Sequence, residues 1–196
     1  LRVTGKFRTS LVVGGLICLV AGVHYFYMRE VWASTGTSPT VFRYVDWIVT
    51  VPLQMVEFYL ILAAVTAVSM GVFWRLLIGT VVMVVAGYMG EAGFINTTIG
   101  FVVGMAGWAY ILYEIFSGEA SKSAANAKPS VQSAFNTMKW IVTIGWAIYP
   151  LGYFLGYLAG GTDEATLNIV YNVADFINKI GFCLAIWAAA TTEADA

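Results

Sequence analysis

Apolar residues along this chain fall in six long blocks, not in the short alternating runs of strands or the stripes of surface helices. The blocks lie at about residues 9–31, 40–66, 72–91, 97–116, 131–158 and 167–190, each near or beyond the ~20 residues that cross a hydrocarbon layer. Gly, Ser, Thr, Asn and Pro collect between them at 34–39, 119–129 and 160–164, the composition of turns. No connection has room for a soluble domain. The pattern predicts an all-α integral membrane bundle, with residues 1–196 as one transmembrane domain in contact with lipid. The chain opens at Leu1, without methionine or signal peptide, and an N-terminal part of the polypeptide is expected to lie outside this sequence.

Composition agrees with that class. The chain is 60% hydrophobic and 11% charged, with mean hydropathy +0.79, well outside soluble norms. A net charge of −1 offers no basic surface for nucleic acid. Cys18 and Cys183 both sit inside apolar blocks, so small core residues are the better expectation than a disulfide or a metal site. Alternate ends of the six blocks group Arg2, Lys6, Arg8, Arg75, Lys122 and Lys128 on one side and leave Arg29 on the other. The basic side is expected to be cytoplasmic, together with the C-terminus. Lys139 lies about two turns into the fifth block, with no acid one turn away, and reads as a snorkelling residue. Trp32, Trp74 and several tyrosines fall near block ends, where amphipathic rings favour the interface.

The last block carries Asp175 and Lys179, four residues apart, hence on one helix face one turn apart. Each charge at bilayer depth costs roughly 2.5–3.5 kcal/mol on insertion scales. A buried ion pair pinning two helices would explain the two residues. So would a lysine in an apolar pocket that condenses with a carbonyl to form a Schiff base, with Asp175 as counter-ion.

The second block holds Arg43, Asp46, Thr50 and Glu57. Asp46 and Glu57 differ by eleven positions, only ~20° of rotation and roughly 16 Å of rise, and Thr50 shares their stripe. Two carboxylates at different depths on one stripe resemble stations on a proton path. Arg43, one turn away, is expected to pair with Asp46 and keep it ionised. Glu57 has no base within a turn, which favours the neutral acid. His24, the only histidine, lies at a depth similar to that of Asp46, as its partner or facing a neighbouring protomer. In the fifth block Pro150 removes a helix hydrogen bond and predicts a kink. Trp146 and Tyr149 share a face beside it, as either ordinary aromatic packing or the wall of a flat ligand.

Taken together, three segments resemble the microbial (type 1) rhodopsins, the proteorhodopsins most closely. They are Arg43-Tyr-Val-Asp46-Trp47-Ile-Val-Thr50 running on to Glu57, Trp146-Ala-Ile-Tyr149-Pro150, and Asp175-Phe-Ile-Asn-Lys179. The stretches 38–46, 87–93 and 131–137 add to the likeness. The resemblance implies a seven-helix rhodopsin fold, of which this sequence contains six helices, with the first outside it. It also implies all-trans retinal bound to Lys179, with Asp46 and Asp175 as counter-ions. Asp46 would be the primary proton acceptor, Glu57 the donor, and His24 a tuner of the acceptor near a subunit interface. Gln54 occupies a spectral-tuning position and matches the blue-absorbing type. Trp47, Met83, Gly87, Phe101, Trp108, Trp146, Tyr149 and Pro150 match pocket positions.

The implied function is light-driven outward proton pumping, which is transport and not enzyme catalysis, in a prokaryotic inner membrane as a homo-oligomer. A photosensory receptor with a slow photocycle is the alternative, against which Glu57 argues. A secondary transporter with an unmodified Lys179–Asp175 pair would need the paired broken helices that the pattern lacks. Nothing in these residues supports or excludes a carotenoid antenna.

Overall fold

The structure is a computed structural model that describes residue 3 and residues 5–194. Arg2, one of the charges counted for orientation, lies outside the described residues. A helical turn at Gly5–Phe7 leads into α1 (Arg8–Thr35), followed by α2 (Thr40–Ala63), α3 (Met70–Glu91) and α4 (Thr97–Phe116). A short α5 (Glu119–Ala125) precedes α6 (Pro129–Trp140), α7 (Ile148–Tyr153) and the long α8 (Glu164–Ala194). Among the described residues, six helical stretches are long and apolar enough to cross a membrane, and α6 and α7 belong to one of them, Pro129–Leu158.

Local chemistry sets the boundaries. Ser69 caps α3 by accepting from Gly71 N at 3.0 Å, and Asn96 caps α4 by accepting from Thr98 N and Ile99 N. Such caps satisfy amides with no partner inside the helix. Asp163 does the same for α8, taking Thr166 N at 2.9 Å on one oxygen and the Thr166 hydroxyl at 2.7 Å on the other. At the far end of α1, Gly36 adopts φ 67° and returns its N–H to Trp32 O, a left-handed cap that suits glycine.

One expected turn is a helix instead. Residues 119–125 form α5 because this segment is rich in Ala, with Glu119 in its first turn and Lys122 in its last, signs that suit the helix dipole. Glu114 adds an anchor by accepting Ala120 N at 3.0 Å. The second helix ends at Ala63, three residues short of the expected boundary, and α8 extends past both expected ends.

α3 and α4 pack backbone to backbone. A side-chain carbon on Gly100 would lie 2.7 Å from Gly90 Cα, and one on Gly107 2.8 Å from Gly79 O. Only glycine allows that approach. The fifth membrane-crossing stretch is irregular, as Pro150 predicts, but the departure is larger than a kink. π-helical turns at Ile141–Gly145 and Phe154–Leu158 flank α7. The first leaves carbonyls free, and other helices use them: Trp108 Nε1 donates to Val142 O at 3.1 Å and Asn178 Nδ2 to Gly145 O at 3.0 Å. Lys139 sits with its amine 4.7 Å from the Phe116 ring centre, a cation–π contact at the bundle edge.

Candidate functional site

The polar interior is built where α1, α2 and α8 meet. Arg43, Asp46, Thr50, Gln54 and Glu57 are all buried on the inward stripe of α2, and Asp175, Asn178 and Lys179 on that of α8. The helical period places them there, because each stripe repeats every three or four residues. Lys179 Nζ donates to Asp46 Oδ2 and, at 3.0 Å, to Asp175 Oδ2. The lysine therefore lies between the two acids that the sequence paired with it.

The two acids are held differently. Asp175 accepts from Lys179, Trp47 Nε1 at 3.0 Å, Tyr149 OH at 2.5 Å and Tyr25 OH. Asp46 accepts from Lys179 through one oxygen, while its buried Oδ1 has no hydrogen-bond donor among the described residues. His24 Nδ1 stands 3.7 Å from that oxygen. The same nitrogen lies 3.0 Å from Val20 O, so its proton is directed to the backbone of its own helix, and contact with Asp46 is at ion-pair range only.

The expected Arg43–Asp46 pairing is corrected. Arg43 donates to Asn168 Oδ1 at 2.6 Å and Asn172 Oδ1 at 3.2 Å, and its guanidinium carbon lies 5.1 Å from the Tyr171 ring centre. Helical side chains tilt toward the N-terminus of their own helix. Arg43 therefore reaches away from Asp46, and the cation beside Asp46 is Lys179. Thr50 is also tied up locally, donating to Asp46 O at 3.0 Å. Glu57 is 0% exposed, and among the described residues neither carboxyl oxygen has a hydrogen-bond partner. Ser10 and Gly14 of α1 face it.

A cavity of about 760 Å³, counted with its open mouth, runs between α2, α3, α4, α7 and α8. Trp47, Gln54, Met83, Gly87, Phe101, Trp108, Trp146, Tyr149 and Pro150, all singled out from the sequence, line it. Its wall is apolar and aromatic, with the unpartnered Gln54 Nε2 inside and Asp175 at one end. Lys179 lies behind Asp175. A wall of this kind suits an apolar ligand held between aromatic faces. Gly87 keeps the wall open, since a side-chain carbon there would stand 3.0 Å from Tyr44 Oη.

Several participants had no sequence signal. Tyr25 sits beside His24 on α1 without any motif, yet it donates to Asp175. Asn168 and Asn172 read as ordinary polar residues near a helix start. Pro52 lies within α2 between Thr50 and Gln54 and is buried, and its missing N–H leaves one carbonyl of that helix without its usual donor. It could have been noticed, because a proline inside an apolar block predicts local distortion. Glu91, at the end of α3, also lines the cavity.

A family model described as bacteriorhodopsin-like protein matches residues 2–193. The chain is 54% identical over 193 residues to the green-light absorbing proteorhodopsin of Gamma-proteobacterium EBAC31A08, covering 98% of this chain and 78% of that protein. It is 53% identical over 194 residues to the blue-light absorbing proteorhodopsin of Gamma-proteobacterium Hot 75m4, covering 98% and 77%. The crystal structure of blue light-absorbing proteorhodopsin from Med12 superposes with a TM-score of 0.83 at 53% identity, covering 97% of this chain and 86% of that one. From the lysine held between two acids to the match along nearly its whole length, this chain belongs to the bacteriorhodopsin-like family of membrane proteins.

Proposed function

We propose that the protein is a light-driven outward proton pump carrying retinal as a Schiff base on Lys179. The observation that carries this reading is the asymmetry around the lysine: one acid saturated with donors, the other with a free oxygen, and a third sealed further along α2. When bound, retinal would supply absorption of visible light and an isomerisation that alters the proton affinity and orientation of the Lys179 nitrogen.

This chain's residues supply the rest. Asp175, with donors on both oxygens, stays an anion and fixes the position of the Lys179 nitrogen, because hydrogen bonds to a carboxylate stabilise the charged form. Asp46 has a lone pair free at Oδ1 and receives the proton. Glu57 holds a proton in an apolar setting, and its side chain gives that proton up toward Lys179 from the opposite end of α2. Separating acceptor and donor by environment gives the transfer its direction. Arg43, held by Asn168 and Asn172, presents positive charge on the outer side of Asp46 and favours release outward. Trp146 and Tyr149 would confine a bound ligand between their rings, and the irregular stretch around Pro150 would supply a hinge. Gln54 would present an amide dipole to a ligand in the cavity, which supports the blue-absorbing type, and the basic helix ends favour a cytoplasmic C-terminus. His24 modulates Asp46 from α1, on a face open to a neighbouring protomer in a homo-oligomer of a prokaryotic plasma membrane.

The test uses cells containing the protein and supplied with all-trans retinal. Illumination acidifies the medium, protonophore removes the signal, and Lys179→Ala gives neither colour nor signal. A medium pH indifferent to light in coloured cells overturns the pump. Relatives include sensory rhodopsin III of Haloarcula marismortui, 33% identical over 172 residues. A flash-induced cycle lasting seconds without transport would identify a sensor instead.

A further inference from the structure

Two cysteines that the sequence assigned to separate core positions are brought together. Cys18 of α1 and Cys183 of α8 lie with their sulfurs 3.6 Å apart, and Cys183 Sγ also donates to Gly14 O at 3.3 Å. Gly14, one turn before Cys18, packs against the same thiol: a side-chain carbon there would sit in ordinary contact with Cys183, 3.6 Å from Sγ and 3.8 Å from Cβ. Cys183 is four residues beyond Lys179 on the same face of α8, and Gly14 faces Glu57 on α1. The thiol pair therefore bridges the two helices between the inner acid and the lysine. None of the proton steps above uses it.

We propose that Cys18 and Cys183 are a reversible disulfide site that clamps α1 to α8. A disulfide sulfur separation is about 2.05 Å, so the sulfurs, 3.6 Å apart, must approach by about 1.5 Å. Both cysteines are only half-buried, and the adjoining Leu19 and Leu184 are exposed and apolar. The oxidant that reaches them is thus a lipid-soluble one, of the quinone class. The reaction balances as two thiols plus one quinone giving one disulfide plus one hydroquinone. The sulfur–sulfur bond forms as both S–H bonds break, and the two electrons and two protons end on the quinone. A dithiol reductant reverses it.

The experiment treats the retinal-loaded protein in detergent with a fully substituted benzoquinone, whose ring cannot add a thiol. Free thiols are then counted by alkylation and mass spectrometry before and after reductant. Expected are two alkylated thiols before treatment, none after it, a single proteolytic fragment joining the segments of α1 and α8, and full recovery with reductant. The joined form also unfolds at a higher temperature than the reduced form. Cys18→Ser and Cys183→Ser, each of which keeps a small polar side chain, both abolish the joined fragment and the thermal shift. Thiols that remain alkylatable after quinone overturn the proposal, as does protection that persists in either serine variant or a cross-link between two copies. None of these readouts requires pumping, so failure of the clamp and failure of the pump are separate results.

Discussion

Asp46 and Asp175 show how two identical side chains beside one cation acquire different chemistry. Asp175 accepts from four side chains, including two tyrosines and a tryptophan, whereas Asp46 keeps an oxygen without a donor. Asp46→Asn is therefore expected to abolish proton acceptance and transport while leaving a coloured protein. Light-induced pH measurement beside an absorption spectrum checks both. Glu57→Gln keeps the shape and removes the acid, and general acid–base groups contribute about 10²–10⁴-fold. Decay of the deprotonated photoproduct should slow by about a hundredfold, and added azide, a small diffusible acid, should restore much of the rate. Flash photolysis with an unchanged decay would remove Glu57 from the path.

Helices here are defined by what happens at their ends and contacts. Asp163 caps α8 from outside the apolar block, and the Thr166 amide and hydroxyl hold its carboxyl below the usual carboxylate range. Because the folded value is depressed, the cap contributes fully above the ordinary carboxylate range and its contribution is lost as pH falls through the lowered value. Protection of the Thr166 and Leu167 amides, taken relative to the intrinsic exchange rate at each pH, should fall on acidification, and Asp163→Ala should show the low protection at every pH. The α3–α4 contact makes a steric prediction instead. Gly107→Val places carbons 2.8 Å from Gly79 O and 3.0 Å from Met83 N, against backbone that cannot rotate away. Overpacking of this kind costs about 1–3 kcal/mol, to be read as a lower unfolding midpoint in mixed micelles. Since Met83 and Gly104 line the cavity, the absorption band should shift as well.

Across the molecule, polar groups outside the site fall into two regimes. Arg75 of α3 bridges Glu114 at 2.8 Å and Glu119 at 2.7 Å, tying three helices together, and the Glu114 side chain is only 3% exposed. Lys128 pairs with Glu193 near the α6 start, with the lysine side chain 60% exposed. Removing one partner of a buried pair costs about 3–5 kcal/mol, while an exposed pair contributes about 0–1. Arg75→Ala is expected to fall between these limits, since the arginine is one-third exposed and Ala120 N still serves Glu114. Lys128→Ala should cost less than about 1 kcal/mol. Unfolding of both variants under one set of conditions checks the ordering, and equal losses would refute it.

Much of this was legible without coordinates. Six apolar blocks dictate six spanning helices, because an unpaired peptide group in hydrocarbon is too costly for anything but helix or closed barrel. The helical period alone puts Asp46, Thr50 and Glu57 on one stripe and Asp175 one turn from Lys179. What the chain could not reveal is contact between helices distant in sequence. Arg43 sits one turn from Asp46 yet turns away to Asn168 and Asn172, and Tyr25 completes Asp175 across 150 positions. Cys18 and Cys183 meet across α1 and α8, 165 positions apart in sequence. Local sequence sets which face a side chain occupies, but hydrogen-bond partners are chosen by angle and distance across packed helices, and those exist only once the bundle has formed.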